Sequence, residues 1–156
     1  MTRNWRLVGI GGWLSFLVAI VIFTGAINVF HAVDGGAWKA VEAKSPSLLK
    51  HTAFQNYQIM DRAVQFGAGL LLLYCGYLFF RKKEPRTVKL SKLTIGIVFP
   101  VSVIFRDLFA PYFFMGVNLS NEETVTEVVR VMIWSAVWTV YLYRSERVRN
   151  TYIKVI

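Results

Sequence analysis

Four stretches of this chain are apolar for longer than a soluble fold of its size needs: residues 7–30, 63–80, 93–115 and 125–143. Crossing roughly 30 Å of hydrocarbon as helix takes about 20 residues. Lipid also requires every spanning backbone N–H and C=O to be bonded within the protein, which helices achieve segment by segment. The expected fold class is all-α: an integral membrane bundle of four transmembrane helices in a single domain over residues 1–156. The third and fourth stretches are interrupted by charge, and that charge is the main functional question.

Composition agrees. Hydrophobic residues make up 55% of the chain and charged ones 17%, too few to cover a soluble surface. The formal net charge of +9 invites a nucleic-acid reading. However, the basic residues collect at the ends of apolar runs and no recognition motif accompanies them, so no nucleic-acid partner is expected. Cys75 is the single cysteine. It excludes an intramolecular disulfide and reads as a small buried hydrophobe.

Basic residues set the expected orientation. The link at 81–92 holds Arg81, Lys82, Lys83, Arg86, Lys89 and Lys92; the N-terminus adds Arg3 and Arg6; the tail at 144–156 adds Arg144, Arg147, Arg149 and Lys154. Four crossings place all three regions on one side, which the positive-inside rule makes cytoplasmic. Both termini are then cytoplasmic. An outer loop at 31–62 and the acidic turn at Glu122 and Glu123 face the other side. In that loop Ser45-Pro46 suits a helix start, with Leu48, Leu49, Phe54 and Tyr57 on one apolar side. The first stretch is too long for a secretory h-region and lacks a small-x-small cleavage site before His31, so it reads as a retained anchor. The element GIGGWL, Gly9 to Leu14, is not a dinucleotide loop: Leu14 stands where the last glycine belongs and no strand precedes it. Its glycines are expected to let helices approach closely.

Placed by depth at about 1.5 Å per residue, polar groups from all four helices converge on one level of the outer leaflet: Asn28, then Asp61, Arg62 and Gln65, then Arg106 and Asp107, then Glu127 and Arg130. On the second helix Gln58, Asp61, Gln65, Gly69 and Gly76 share a face; on the fourth Glu127, Arg130, Trp134, Trp138 and Tyr141 do. An intramembrane charge costs roughly 2.5 kcal/mol or more if it faces lipid, so partners are required. Asp107 with Arg130 is the expected pair and Arg106 with Glu127 the second. Adjacent helical residues do not face each other, so Arg106 and Asp107 are not expected to pair. Pro100 and Pro111 free the carbonyls of Gly96 and Asp107. The cluster Asp61, Gln65, Arg106, Asp107, Glu127 and Arg130 reads either as ion pairs that fix packing or as an outward-facing pocket. In the pocket reading Arg106 or Arg130 holds an anionic group, or Asp107 carries a proton.

No metal, haem or acyl-transfer machinery is expected. His31 and His51 lie in a loop without a carboxylate or thiolate set, and no histidine lies inside a span. The stripe Trp134, Trp138, Tyr141 reads as packing.

Two elements together resemble a known family. GIGGWL heads the first helix, and Arg130, Trp138 and Tyr141 lead into Ser145, Glu146, Arg147, Val148, Arg149, Asn150, Thr151 and Tyr152. This combination resembles the bacterial inner-membrane family of domain of unknown function 2569, with its G-G-W-L head and Ser-x-Arg-Val-x-x-Thr-aromatic tail. Val140 stands where family members often carry proline. The resemblance implies a small inner-membrane helical protein of about four spans and points to no particular activity; the residues themselves call for no cofactor. Physically, Arg144, Arg147 and Arg149 suit contact with lipid headgroups or a partner. The tail is expected to lie along the membrane with Val148, Tyr152 and Val155 on its apolar side. The expected function is non-enzymatic: binding of a membrane partner protein, a second copy, or lipid. The alternative is a small carrier whose outer pocket takes an anionic ligand.

Overall fold

A computed structural model describes residues 9–116 and 122–153, and among them every regular element is helical. Arg3, Arg6, Leu7, Val8, Lys154 and Val155, and the side chains of Leu48 and Leu49, lie outside the described residues. Four helices are long and apolar enough to cross a membrane: α1 Trp13–Asp34, α3 Thr52–Arg81, α4 Pro85–Met115 and α5 Glu122–Arg144. A short helix, α2 Gly36–Lys44, and a 3₁₀ turn, Pro46–Lys50, connect α1 to α3.

The helix starts depart from the apolar stretches for identifiable reasons. α1 begins at Trp13, not near residue 7, because Gly9 and Gly12 have φ of 94° and 55°. These left-handed conformations are open to glycine and break a helix. The expectation that the GIGGWL glycines bring helices together therefore fails for Gly9 and Gly12, which have open space around them. α3 begins at Thr52 rather than 63, so residues 52–62 of the expected outer loop belong to this helix. The reason is periodicity: Phe54, Tyr57, Asp61, Ala68, Leu72, Cys75 and Phe79 form one buried stripe at three- and four-residue spacing. The polar residues lower the local hydropathy without breaking the stripe. The basic link contracts from 81–92 to residues 82–84, since Pro85 opens α4 as a first-turn proline.

α1 and α3 pack antiparallel through a reciprocal glycine contact. A Cβ on Gly25 would lie 2.9 Å from the Gly69 carbonyl oxygen, and one on Gly69 would lie 2.9 Å from that of Gly25. Small residues allow this approach, which a membrane bundle needs because lipid gives no hydrophobic drive. Leu14, Leu17, Val18 and Val21 meet the α3 stripe, and Ile95, Phe99 and Val103 of α4 close the core. The outward surfaces are the apolar ones: Phe23 and Phe30 on α1, Tyr74 and Tyr77 on α3, Val101 on α4, Ile133 and Val137 on α5 are exposed. This inside-out pattern suits a lipid surround.

α4 contains two π-helical turns, Thr94–Val98 and Phe105–Phe109. Each is followed by one residue and then proline, Pro100 or Pro111. A proline ring clashes with the carbonyl four residues back, and a wider turn at that place relieves the clash.

Candidate functional site

The second π turn builds the site. The Ala110 N–H bonds to the Phe105 carbonyl, five residues back. The Arg106 carbonyl thereby loses its α-helical donor, and its π-helical donor would be Pro111, which has no N–H. The Tyr57 hydroxyl donates to that freed carbonyl at 3.3 Å. At this turn the oxygen of Arg106 is therefore also left without a backbone donor, and a side chain from α3 satisfies it.

Around this point three elements join. The Trp38 indole N–H of α2 donates to Asp61 Oδ2 at 2.7 Å. Arg106 Nε lies 3.3 Å from Asp61 Oδ1 and 2.6 Å from Asp107 Oδ1, and Arg106 Nη2 donates to Asp107 Oδ2 at 3.1 Å. The side chains of Asp61, Arg106 and Asp107 are 7%, 18% and 18% exposed, so the ion pairs are largely shielded. Gln58 adds a second tie to α2, donating to Glu42 Oε1 at 2.6 Å. A cavity of about 180 Å³ opens beside the cluster, lined by His31, Trp38, Tyr57, Asp61, Gln65, Arg106 and Asp107. Every lining side chain carries a polar atom. Within the lining, two carboxylates face one guanidinium.

The structure brings Asp61, Gln65, Arg106 and Asp107 together and leaves Glu127 and Arg130 out. Arg130 pairs with Glu127 on its own helix at 2.7 Å, and the two side chains are 70% and 48% exposed. The expected Asp107–Arg130 and Arg106–Glu127 pairs are absent; depth placed the groups at one level but did not fix their azimuth. Arg106 and Asp107 do pair, against expectation. A π turn is wider than an α turn, so adjacent side chains diverge less, and the long Arg106 side chain folds back over its neighbour. Asn28 turns back to the Thr24 carbonyl of its own helix at 2.8 Å and joins no cluster. An anion-binding Arg106 is also disfavoured, since its Nε and Nη2 already serve carboxylates. Trp38 and His31 were not legible as site residues. Tyr57 reads in the sequence only as part of an apolar side of the outer loop, and its hydroxyl joins the site instead.

The opposite end carries a second clasp. After α5 the chain forms a short turn, Glu146–Val148, capped by the Ser145 hydroxyl accepting from the Val148 N–H at 3.3 Å, and then a π turn, Arg149–Ile153. Val148 and Tyr152 are fully buried in the core. The tail's apolar side faces the bundle rather than the membrane, because the end of α3 and the first turns of α4 accept it. The Tyr152 hydroxyl donates to the Phe79 carbonyl at the end of α3 at 2.7 Å, and its ring packs edge-on against Phe79. Burial pushes the Tyr152 phenol up to about 12 from 10.0, so it remains a donor at neutral pH. The Gly9 N–H donates to Thr151 Oγ1 at 2.9 Å. The Arg147 guanidinium lies over Gly11, 2.8 Å from where a Cβ would sit. Arg144 is exposed, and Arg149 is exposed and reaches Glu146 at 3.6 Å. The head and tail sequence elements, 142 residues apart at the Gly9–Thr151 bond, are therefore one structural unit.

Four helices long and apolar enough to cross a membrane define the class as a multi-pass membrane protein. The model for the family described as Protein of unknown function (DUF2569) matches residues 7–153, and the chain belongs to that family. Comparison with curated proteins and with solved structures gave no match.

Proposed function

We propose that this is a non-enzymatic protein of the bacterial inner membrane, with both termini cytoplasmic, that assembles with a second copy of itself through the outer half of α5. The observation that carries the reading is the exposed Glu127–Arg130 pair. Arg130 lies eight residues into α5, about 12 Å along its axis. A charge at such depth is expected to meet protein or water rather than lipid. α5 packs along α4, with Trp134 against Phe99, and Trp138 meets Trp13 and Phe16 of α1. Farther out the Glu127–Arg130 face is left open. An acid and a base one turn apart are self-complementary under two-fold symmetry, where Glu127 of each copy meets Arg130 of the other. The basic link and tail support the orientation, and the commitment of Asp61 and Asp107 to Arg106 supports a non-enzymatic role.

Glu123→Cys tests the dimer, because it shares this face one turn farther out and Cys75 is buried. Oxidation in native membranes is expected to yield a disulfide dimer. Arg130→Glu should abolish it, and adding Glu127→Arg should restore it. The pair is exposed, so its loss should leave the fold intact. A cross-link that persists in Arg130→Glu, or is absent in the parent, overturns the reading.

The outer cavity favours a second reading, a small carrier. With two carboxylates on one guanidinium the pocket suits a neutral or cationic solute better than an anion. Native mass spectrometry should then show a small bound mass that Gln65→Leu loses.

A further inference from the structure

At the basic end of the bundle a groove of about 470 Å³ runs between the first turns of α4 and the last turns of α5. Arg86, Lys89 and Lys92 edge it, at three-residue spacing that keeps neighbours on one side of the helix. None of the three makes an ion pair with a described residue. Lys92 Nζ instead sits 3.6 Å above the Tyr143 ring, which holds it at the groove edge. Below the basic edge the trough turns apolar: Leu93 and Ile97 line it, 49% and 57% exposed. Thr139 also lines it, and its hydroxyl oxygen is buried with no hydrogen-bond partner. Gly96 keeps the floor low, because a Cβ there would come within 2.7 Å of that oxygen.

We propose that this groove is a binding site for an anionic phospholipid of the adjoining leaflet. The order of its lining matches the order of groups in such a molecule. Three cations without a carboxylate partner stand where a phosphate and an acidic headgroup would lie, and one turn of apolar surface follows for the start of an acyl chain. A zwitterionic lipid would leave the cations without compensation. A soluble anion would leave the trough empty. The site is independent of the α5 dimer face, which lies at the other end of that helix.

The test is native mass spectrometry of the full chain in mild detergent with equimolar phosphatidylglycerol and phosphatidylcholine added. The parent is expected to retain phosphatidylglycerol preferentially. Basic contacts near an anionic leaflet are each worth about fivefold in affinity. The variant with Arg86→Gln, Lys89→Gln and Lys92→Gln should therefore lose up to about a hundredfold. All three side chains edge the groove at the surface, and circular dichroism checks that the variant keeps its helix content. A second variant, Arg144→Gln with Arg149→Gln, removes two cations of the same end outside the groove and should keep the preference. Equal loss in both variants would mean diffuse surface charge and overturn the site, as would a parent without preference. Displacement by millimolar inorganic phosphate would assign the cations to a free anion and overturn the lipid.

Discussion

Replacing Arg106 by methionine separates a cluster that holds the fold from one that waits for a ligand. The side chain keeps much of its length but loses the guanidinium that serves three carboxylate oxygens, at 2.6, 3.1 and 3.3 Å. Asp61 and Asp107 are then left close together with side chains 7% and 18% exposed. Stranding buried charge in this way costs about 3–5 kcal/mol, a large share of a typical stability of about 5–15 kcal/mol. Adding Asp61→Asn and Asp107→Asn removes the stranded charge, while the new amide oxygen at position 61 can still accept from Trp38. The triple variant should recover most of the loss, since discharging a buried pair as a unit is close to neutral. The assay is reversible unfolding in mixed micelles followed by far-ultraviolet circular dichroism. A single variant within about 0.5 kcal/mol of the parent, the range of a neutral surface change, would refute the clasp. So would a triple variant no better than the single one.

Two glycines of α3 should respond with opposite signs. Gly69→Ala drives a Cβ to 2.9 Å from a backbone oxygen and should cost about 1–3 kcal/mol, whereas Gly67→Ala meets open space and should gain about 0.5–1 kcal/mol; the same unfolding assay reads both. Tyr152 has a folded value near 12 against an ordinary 10.0. A raised value means its contribution is complete below pH 10 and is lost as pH rises toward 12, so parent stability should fall across that window and Tyr152→Phe should flatten the fall. Tyr152→Phe should itself cost about 1–3 kcal/mol at neutral pH by leaving the Phe79 carbonyl unsatisfied. For orientation, Lys44→Cys should label from the outside of intact spheroplasts and Lys83→Cys only after lysis; the reverse pattern would invert the topology.

Helix number was legible because apolar length is a one-dimensional property, and four long helices follow from it directly. Helix starts were less so. The stripe from Phe54 to Phe79 was present in the sequence, but averaging hydropathy across Asp61, Arg62 and Gln65 hides a period that those residues do not break. The polar layer was legible as a depth, because rise per residue is constant, and Asp61, Gln65, Arg106 and Asp107 were found that way. The pairing was not, because it depends on azimuth around α4, which the π turn changes, and on Trp38 arriving from α2. The tail motif read as a membrane anchor from its arginines. Its destination inside the bundle depends on Phe79 and Gly9, which share no local pattern with Thr151 and Tyr152.

The two wide turns of α4 also act as rotational spacers. Each advances the chain by one residue more than an α turn before the next bond closes, so the outer part of α4 faces a direction that an unbroken α-helix of the same length would not give it. Were Phe105–Phe109 to close as an α turn with the same residues, every side chain beyond it would be reassigned by up to about 100°. Neither proline would change, nor the apolar length, nor the net charge. The outer end of the helix would still cross the same thickness of membrane, but it would show a different side to α3. In this protein, aim is set by the width of the turn that precedes each proline.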